Sequence, residues 1–298
     1  MPRRCDIWRV GIALAPIEAI AARGSVDPAA ISWLPEEPSF RFLADPFGLW
    51  RDGALHLFAE AYDYRTRHGV IDHIALNADL RPIARETVLR APWHLSYPYV
   101  FEHEGAIWML PEAHKSGRLT LYRAHDFPRG WQPHVVIELD VVPIDATPVR
   151  HEGRWWLFYT GGPDRAARMG ALHCAWADRL DGPWHPHPAN PIRRDIGGGR
   201  PGGTPFLLDG ALALPVQDCR RTYGGGIRIL RFPRLDPDGV ESLVGPAMPV
   251  PRGIGYDEGF HTLAGCGPIS LIDVKRVDRS GRGWLIDLRR AIARRATP

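Results

Sequence analysis

The stretch FLADPFGLWRDGALHLFAE, residues 42–60, reads as two β-strands joined by a tight turn. Asp45-Pro46 opens the first strand, and Asp52-Gly53 has the composition of a two-residue hairpin turn. The strand positions on both sides of this turn hold the apolar residues Phe47, Leu49, Leu55, Leu57 and Phe58. The stretch therefore predicts a β-hairpin.

The same pattern recurs four more times along the chain. Further hairpins are predicted in residues 97–110, 147–158, 204–214 and, in a degraded form, 261–272. The anchors Pro46, Pro98, Pro148, Pro205 and Thr262 are 50 to 57 residues apart. A period near fifty with one hairpin in each unit is typical of a β-propeller, because each small sheet needs neighbours to bury its faces. Five units predict an all-β propeller with five blades.

The two ends of the chain are expected to complete the ring. Residues 6–14, DIWRVGIAL, have the apolar alternation of a strand. We predict that this strand joins the last blade, because such closure removes open sheet edges. Residues 17–22 are predicted to form a helical turn, and residues 283–288 a strand followed by a short helix. Since no low-complexity linker divides the chain, residues 1–298 are predicted to form a single propeller domain.

Composition limits the kind of protein. Hydrophobic residues make up 45% of the 298 residues. Some of the eleven tryptophans are expected to pack between blades, and others could line a sugar site. A net charge of +3, with no arginine-rich block before the C-terminus, argues against nucleic-acid binding. The N-terminal apolar run is too short for a signal peptide or a membrane span. We therefore predict a cytoplasmic protein without a membrane span.

Neither a metal site nor a cofactor site is predicted from the spacing of residues. The cysteines are scattered and form no CxxC pair, which argues against a zinc site and favours reduced thiols: Cys5, Cys174, Cys219 and Cys266. The glycine-rich stretch DIGGGRPGG, residues 195–203, lacks the lysine and the following helix of a phosphate-binding loop. We interpret it as a loop over the mouth of the propeller axis.

In a propeller the innermost strand of every blade points one end into the same axial funnel. Residues just before the anchors should therefore converge there: Asp45, His94, Ser96, Tyr97, Asp145, Thr147, Arg200, Gly203, Thr204, Phe260 and His261. The ends of the second strands add Glu60, Glu112, Thr160, Gln217, Asp218 and Asp273. Carboxylates together with histidine, arginine and aromatic residues at one mouth are typical of a sugar-processing site.

Several motifs carry a family resemblance that spans almost the whole chain. They are DIWRVGI (6–12), ADPF (44–47), WHLSYPYVFEHEG (93–105), MLPEA (109–113), LYRAHDFP (121–128), GGTPF (202–206) and QDCRRTYGGGIRI (217–229). With these motifs the chain resembles the five-bladed propellers of glycoside hydrolase family 43. It is more similar to the N-terminal propeller of plant glucosamine inositolphosphorylceramide transferases and to stand-alone bacterial relatives.

The resemblance implies roles for individual carboxylates. Asp45 would be the base or nucleophile, and Asp145 a second carboxylate that tunes pKa values and holds substrate. Asp145 lies three residues before Pro148, whereas the family motif has Asp directly before Pro. The hydrolases place their general-acid glutamate two residues before the fourth anchor, where this chain has Gly203.

A replacement acid must therefore come from elsewhere, and three candidates are Glu112, Asp218 and His261. Burial beside Tyr97 or Trp93 would raise the pKa of Glu112 into a useful range. The remaining candidates are expected to bind or stack on substrate: Trp93, His94, Tyr97, Arg200, Tyr223, Glu60 and Asp273.

The leading functional hypothesis is a glycosidase-like enzyme that acts on a sugar or glycoconjugate in the funnel. A second is a non-hydrolytic carbohydrate- or glycolipid-binding module that serves a glycosyltransferase partner. A third is an acid–base enzyme of small-molecule biosynthesis that reuses the funnel.

Overall fold

A computed structural model describes residues 4–296, which are mostly antiparallel strands. The chain begins with β1 (Cys5–Ala13), helix α1 (Ile17–Arg23), a 3-10 turn (Pro28–Ala30) and β2 (Ile31–Trp33). Helix α1 confirms the helical turn predicted at residues 17–22.

Blades one and two follow, and each is a four-stranded sheet in sequential order. Blade one contains β3 (Arg41–Arg51), β4 (Ala54–Asp63), β5 (His68–Leu76) and β6 (Pro82–Leu89). Blade two contains β7 (Ser96–His103), β8 (Ala106–Glu112), β9 (Leu119–Asp126) and β10 (Arg129–Ile137), with a 3-10 turn (His114–Ser116) before β9.

Blades three and four are less regular. Blade three contains β11 (Ile144–His151), β12 (Arg154–Thr160), helix α2 (Arg165–Gly170), β13 (Ala171–Ala177), β14 (His185–Pro186) and β15 (Arg193–Arg194). Blade four contains β16 (Arg200–Pro201), β17 (Phe206–Leu208), β18 (Ala211–Gln217), β19 (Ile227–Asp236) and β20 (Gly239–Ala247). The chain then forms β21 (Leu263–Cys266), β22 (Ile269–Asp278) and helix α3 (Arg282–Ala296).

The N-terminal strand closes the ring. The fifth sheet has the order β2-β1-β22-β21, and β1 runs antiparallel to β22 from the pair Cys5 and Asp278 to the pair Ala13 and Ser270. The innermost strands β3, β7, β11, β16 and β21 lie next to one another around the axis. The five-bladed propeller and its closure by the N-terminal strand are thus confirmed.

The hairpin turns explain why each blade begins as it does. Both turn residues have positive φ at Asp52-Gly53, Glu104-Gly105, Glu152-Gly153 and Asp209-Gly210. This is the type I′ geometry that matches the right-handed twist of paired strands. Between blades, side chains such as Leu57, Phe58 and Trp156 are almost fully buried.

Two local predictions differ from the structure. The strand predicted at residues 283–288 is wrong, because these residues belong to helix α3, in which Ile286 packs beside the fifth blade. In the glycine-rich stretch 195–203, Gly197, Gly198 and Gly199 are buried rather than spread over the axis mouth, and the next two residues form β16. Among the helices of the described residues, none combines the length and the apolar character needed to cross a bilayer.

Substitution of Ile12 by alanine should destabilise the protein by about 2–5 kcal/mol, because Ile12 lies in β1, is fully buried and pairs with Leu271 of β22. The matched control is Ile83→Ala in β6, where the side chain is 64% exposed and the expected change is within about 0.5 kcal/mol. Urea denaturation measures both, and equal midpoints for the two variants would contradict the role of β1 in closing the ring.

Candidate active site

The inner strands of blades one, two and three each contain a bulge at the same place. The pairing with the second strand shifts between Ala44 and Phe47, between Ser96 and Tyr99, and between Ile144 and Thr147. The first residue inside each bulge has a left-handed backbone, with φ of 50° at Asp45, 45° at Tyr97 and 52° at Asp145. Bulges redirect side chains, and such φ values are strained for residues other than glycine, so these positions are candidates for function.

This register places Asp145 in the third blade where Asp45 stands in the first. Ala146 takes the place of Pro46, and Pro148 lies two residues further along the strand. The shift of the proline to position 148 therefore leaves the Asp145 carboxylate in register with that of Asp45. Asp145 takes in blade three the position that Asp45 takes in blade one, although no proline follows it directly.

Asp45 belongs to a buried cluster with His261 and Asp273. The Nε2 atom of His261 lies 3.5 Å from Oδ1 of Asp45, and its Nδ1 atom lies 2.7 Å from Oδ1 of Asp273. The hydroxyl of Thr262 donates to Asp45 at 3.2 Å, and the backbone N–H of Asp45 donates to Asp273 at 2.9 Å. These three ionisable residues could also hold a metal ion, since one ligand atom from each lies within 4.8 Å of the others.

Burial and mutual charge set the protonation of this cluster. Burial raises the pKa of Asp45 to about 6, although the charge of His261 opposes the increase. Burial disfavours the charged form of His261, but Asp273 and Asp45 outweigh it and raise the pKa of His261 above its usual value. The imidazole is thereby held between two carboxylates from different blades.

Trp8 also belongs to this site, although the sequence did not predict it as a site residue. Its ring stacks on His261 with centroids 3.6 Å apart and an interplanar angle of 9°. On β22, the buried ammonium of Lys275 lies 5.0 Å from the centroid of the Trp8 ring. Trp8 and Lys275 are direct partners in the β1–β22 register. The predicted pairing of the N-terminal strand with the last blade could have identified Trp8 as a site residue, but only if the register had been known.

Asp145 is held by groups from the fourth blade. The Nε of Arg200 donates to Asp145 at 2.6 Å, and the side-chain amide of Gln217 donates to the same oxygen at 3.0 Å. The guanidinium of Arg200 also lies 5.1 Å from the centre of the Tyr223 ring, which in turn meets His261 edge-on at 5.4 Å. Arg200 and Tyr223 thus connect the two carboxylate groups of the site.

Glu112 and Glu60 add two buried carboxyl groups. Burial, together with the charge of Asp145, raises the pKa of Glu112 to about 7. Its two oxygens accept from Ser96 Oγ at 3.0 Å and from the His114 backbone N–H at 2.8 Å. Burial, with repulsion from Asp45 and Glu112, raises the pKa of Glu60 well above its usual value.

Two further predicted residues lie at this site in different roles. The backbone N–H of Gly69 donates to Nδ1 of His94 at 2.9 Å, so Nε2 carries the proton of the neutral ring and faces Glu60 at 3.6 Å. Burial lowers the pKa of His94 to about 4. The hydroxyl of the fully buried Tyr97 is 2.9 Å from Thr147 Oγ1 and accepts from the Gly203 backbone N–H at 2.9 Å. Tyr97 therefore links blades two, three and four.

Asp218 and Trp93 stand apart from this cluster. The Asp218 carboxylate accepts from Nε of Arg220 at 2.9 Å and lies 3.6 Å from Arg228. Burial acts to raise the pKa of Asp218, but these arginines outweigh it and lower the pKa. Asp218 lines a separate cavity of about 880 Å³ that is also lined by Arg252. The side chain of Trp93 is 36% exposed. The geometry favours neither as an acid or a stacking platform at the axis.

At Gly203 the resemblance to the hydrolases predicts a general-acid glutamate, but the backbone there leaves no room for a side chain. Its φ is 151°, and a Cβ atom would lie 1.8 Å from the carbonyl oxygen of Leu263. This contact belongs to the bridge that joins blades four and five. The fold therefore excludes an acid at this position.

Gly203→Ala should destabilise the protein by at least about 2 kcal/mol more than Gly210→Ala. Gly210 also has a positive φ, of 79°, but a Cβ atom there would meet nothing within 4 Å. Thermal unfolding compares the two variants. A smaller loss for Gly203→Ala than for Gly210→Ala would show that the backbone at Gly203 can move away.

Glu112 should make the folded state less stable as pH rises. The pKa of Glu112 in the folded state is about 7, above the usual 4.5, so the folded state binds the proton more tightly than the unfolded state does. The stabilisation that protonated Glu112 contributes is therefore lost as the pH rises from about 4.5 to 7. Glu112→Gln should remove on the order of 3 kcal/mol of this pH dependence. Urea denaturation across this range measures it, and parallel pH profiles for wild type and variant would refute the raised pKa.

Sequence comparisons relate the chain to a family of plant transferases. Residues 29–245 match the family described as glucosamine inositolphosphorylceramide transferase 1, N-terminal. The transferase of that name from Arabidopsis thaliana is 39% identical over 207 residues, covering 66% of this chain and 26% of the relative. The one from Oryza sativa subsp. indica is 34% identical over 222 residues, covering 73% and 29%. The chain thus spans less than a third of the length of these relatives.

Solved structures of glycoside hydrolases share the fold at low sequence identity. The catalytic domain of a GH62 α-L-arabinofuranosidase from Coprinopsis cinerea has a TM-score of 0.57 at 12% identity and covers 90% of this chain and 97% of its own. A family 117 glycoside hydrolase from Zobellia galactanivorans has a TM-score of 0.56 at 13% identity, with 90% of each chain covered. A thermostable family-43 glycoside hydrolase has a TM-score of 0.53 at 16% identity and covers 70% and 77%.

These likenesses of structure show the fold alone, whereas the match over residues 29–245 shows the family. The chain belongs to the family of the N-terminal domain of glucosamine inositolphosphorylceramide transferase 1.

Proposed function

We propose that this protein is a glycosidase-like enzyme that acts on a sugar or glycoconjugate at the propeller axis by carboxylate acid–base chemistry. One observation carries the proposal. Asp45 and Glu112 are buried carboxyl groups with pKa values raised to about 6 and about 7, beside the carboxylate of Asp145, which is paired with Arg200. Carboxyl groups whose environments set different protonation states near neutral pH are suited to act as acid and base.

Asp45 is the proposed base or nucleophile. Near neutral pH its carboxylate is ionised and is held by Thr262 and by the backbone N–H of Tyr97 at 3.3 Å. It would attack the anomeric carbon or remove a proton from the attacking water. The charged imidazole of His261 would support the carboxylate before the reaction.

Glu112 is the proposed general acid. Near its pKa of about 7 a large part of the group keeps its proton, which it would give to the leaving oxygen as the glycosidic bond breaks. Glu112 would supply the proton that the hydrolase resemblance assigns to a glutamate at position 203, where no side chain fits. Asp145, held by Arg200 and Gln217, would bind the sugar and keep Glu112 protonated by repulsion.

A second candidate is a binding module that serves a glycosyltransferase. The observation in its favour is that the Arabidopsis and rice relatives carry transferase names and are more than three times as long as the matched segment. In that case the axis would bind a sugar or glycolipid headgroup, and the buried carboxyl groups would accept hydrogen bonds from its hydroxyls without cleavage.

Asp45→Asn should lower kcat for a responsive glycoside by about a hundred- to ten-thousand-fold while the glycoside still binds. A panel of 4-nitrophenyl glycosides that includes glucosaminides identifies such a substrate, and titration calorimetry measures binding. The rate should rise as Asp45 ionises near pH 6 and fall as Glu112 ionises near pH 7. Glu112→Gln should remove the alkaline limb of this profile.

Asp218→Asn is the matched control, because this carboxylate is paired with arginines away from the axial cluster. It should keep the wild-type rate. Glycosides that bind without turnover would favour the second candidate, and an Asp45→Asn variant with full activity would rule out the proposed mechanism.

A further inference from the structure

Exposed apolar side chains concentrate on helix α3. Trp284, Leu285, Leu288 and Ile292 are 59%, 51%, 43% and 60% exposed. Isolated apolar residues are common on protein surfaces, but four on one helix form a continuous face. This face lies outside residues 29–245, the segment that matches the family, and it has no part in the proposed chemistry.

The opposite side of α3 attaches the helix to the propeller. Gly283 is buried and Ile286 packs beside the fifth blade. Asp287 accepts from Arg67 of blade one at 3.0 Å and from Arg290 at 3.1 Å. With 3.6 residues per turn, these positions and the apolar face lie on opposite sides of the helix. The attachment thus holds the apolar face outward.

The charge of α3 is strongly positive. Arg282 and Arg289 are exposed and lie toward one edge of the apolar face, and the sequence continues with Arg294 and Arg295. The one acidic residue of the helix, Asp287, is on the attached side. A helix with an apolar face and arginines beside it is typical of segments that lie in the interface of an anionic membrane.

We propose that α3 docks the protein onto an anionic membrane surface, with Trp284, Leu288 and Ile292 in the interface and the arginines on lipid headgroups. The helix has 15 residues, or about 22 Å at 1.5 Å per residue, which is shorter than a bilayer core of about 30 Å. It would therefore lie in the plane of the surface. Tryptophan is a favoured residue at that depth.

A second copy of the chain is a less suitable occupant. A two-fold interface places the same patch on both partners, so it would bring two positively charged helices together. The acidic residue that could balance them is already paired on the attached side. Anionic headgroups supply the missing countercharge.

Flotation of the full chain with vesicles tests the proposal. Binding to phosphatidylcholine vesicles with about 30% phosphatidylglycerol should exceed binding to pure phosphatidylcholine by roughly tenfold and should fall at high salt. Arg289→Gln should weaken binding by about fivefold. The combined variant Trp284→Ser, Leu288→Ser and Ile292→Ser should lose most of it.

The matched control is Ile83→Ser with Leu243→Ser, two side chains that are each 64% exposed on blade edges. This control should bind vesicles like the wild type. The proposal is overturned if the wild type binds neither kind of vesicle, or if the α3 triple variant still binds anionic vesicles. It is also overturned if sedimentation shows a dimer that the triple variant loses while vesicles are not bound.

Discussion

Carboxyl groups buried around one axis must find partners, since an unpaired buried charge is costly. In this propeller the partners come from other blades. Asp45 of blade one is held by His261 and Thr262 before blade five, and Asp145 of blade three is held by Arg200 of blade four. The arrangement of the site therefore depends on the whole ring being closed. The same burial keeps the pKa values of Asp45 and Glu112 near neutrality.

Ring closure and site construction are linked through the N-terminal strand. β1 completes the fifth sheet, and its Trp8 covers the ring of His261 while Lys275 lies beside the same indole. A strand that would otherwise only remove a sheet edge thus also fixes the position of an imidazole between two carboxylates. Movement of β1 would therefore shift the contact between Trp8 and His261 at the axis.

The absence of a side chain at residue 203 has a structural reason that extends beyond this one residue. At Gly203 the backbone comes so close to Leu263 that blades four and five are joined by a bridge there. Glu112 of blade two, in contrast, has the burial and the neighbouring carboxylate that favour its protonated form. The buried carboxyl groups at the axis thus come from blades one, two, three and five.

The sequence by itself determined the five hairpins and hence the number of blades, because Asp-Gly and Glu-Gly pairs select type I′ turns and the spacing of hairpins repeats. It did not predict that residues 283–288 are helical. It also predicted most of the residues that meet at the axis. Only the tertiary structure decided that Asp145 is equivalent to Asp45, that Trp8 belongs to the site, and that Asp218 is neutralised by arginines. The physical reason is that bulges, strand register and ion pairs depend on which distant residues face each other. Even successive residues can point to different surroundings, as do Gln217 at the end of β18 and Asp218 directly after it.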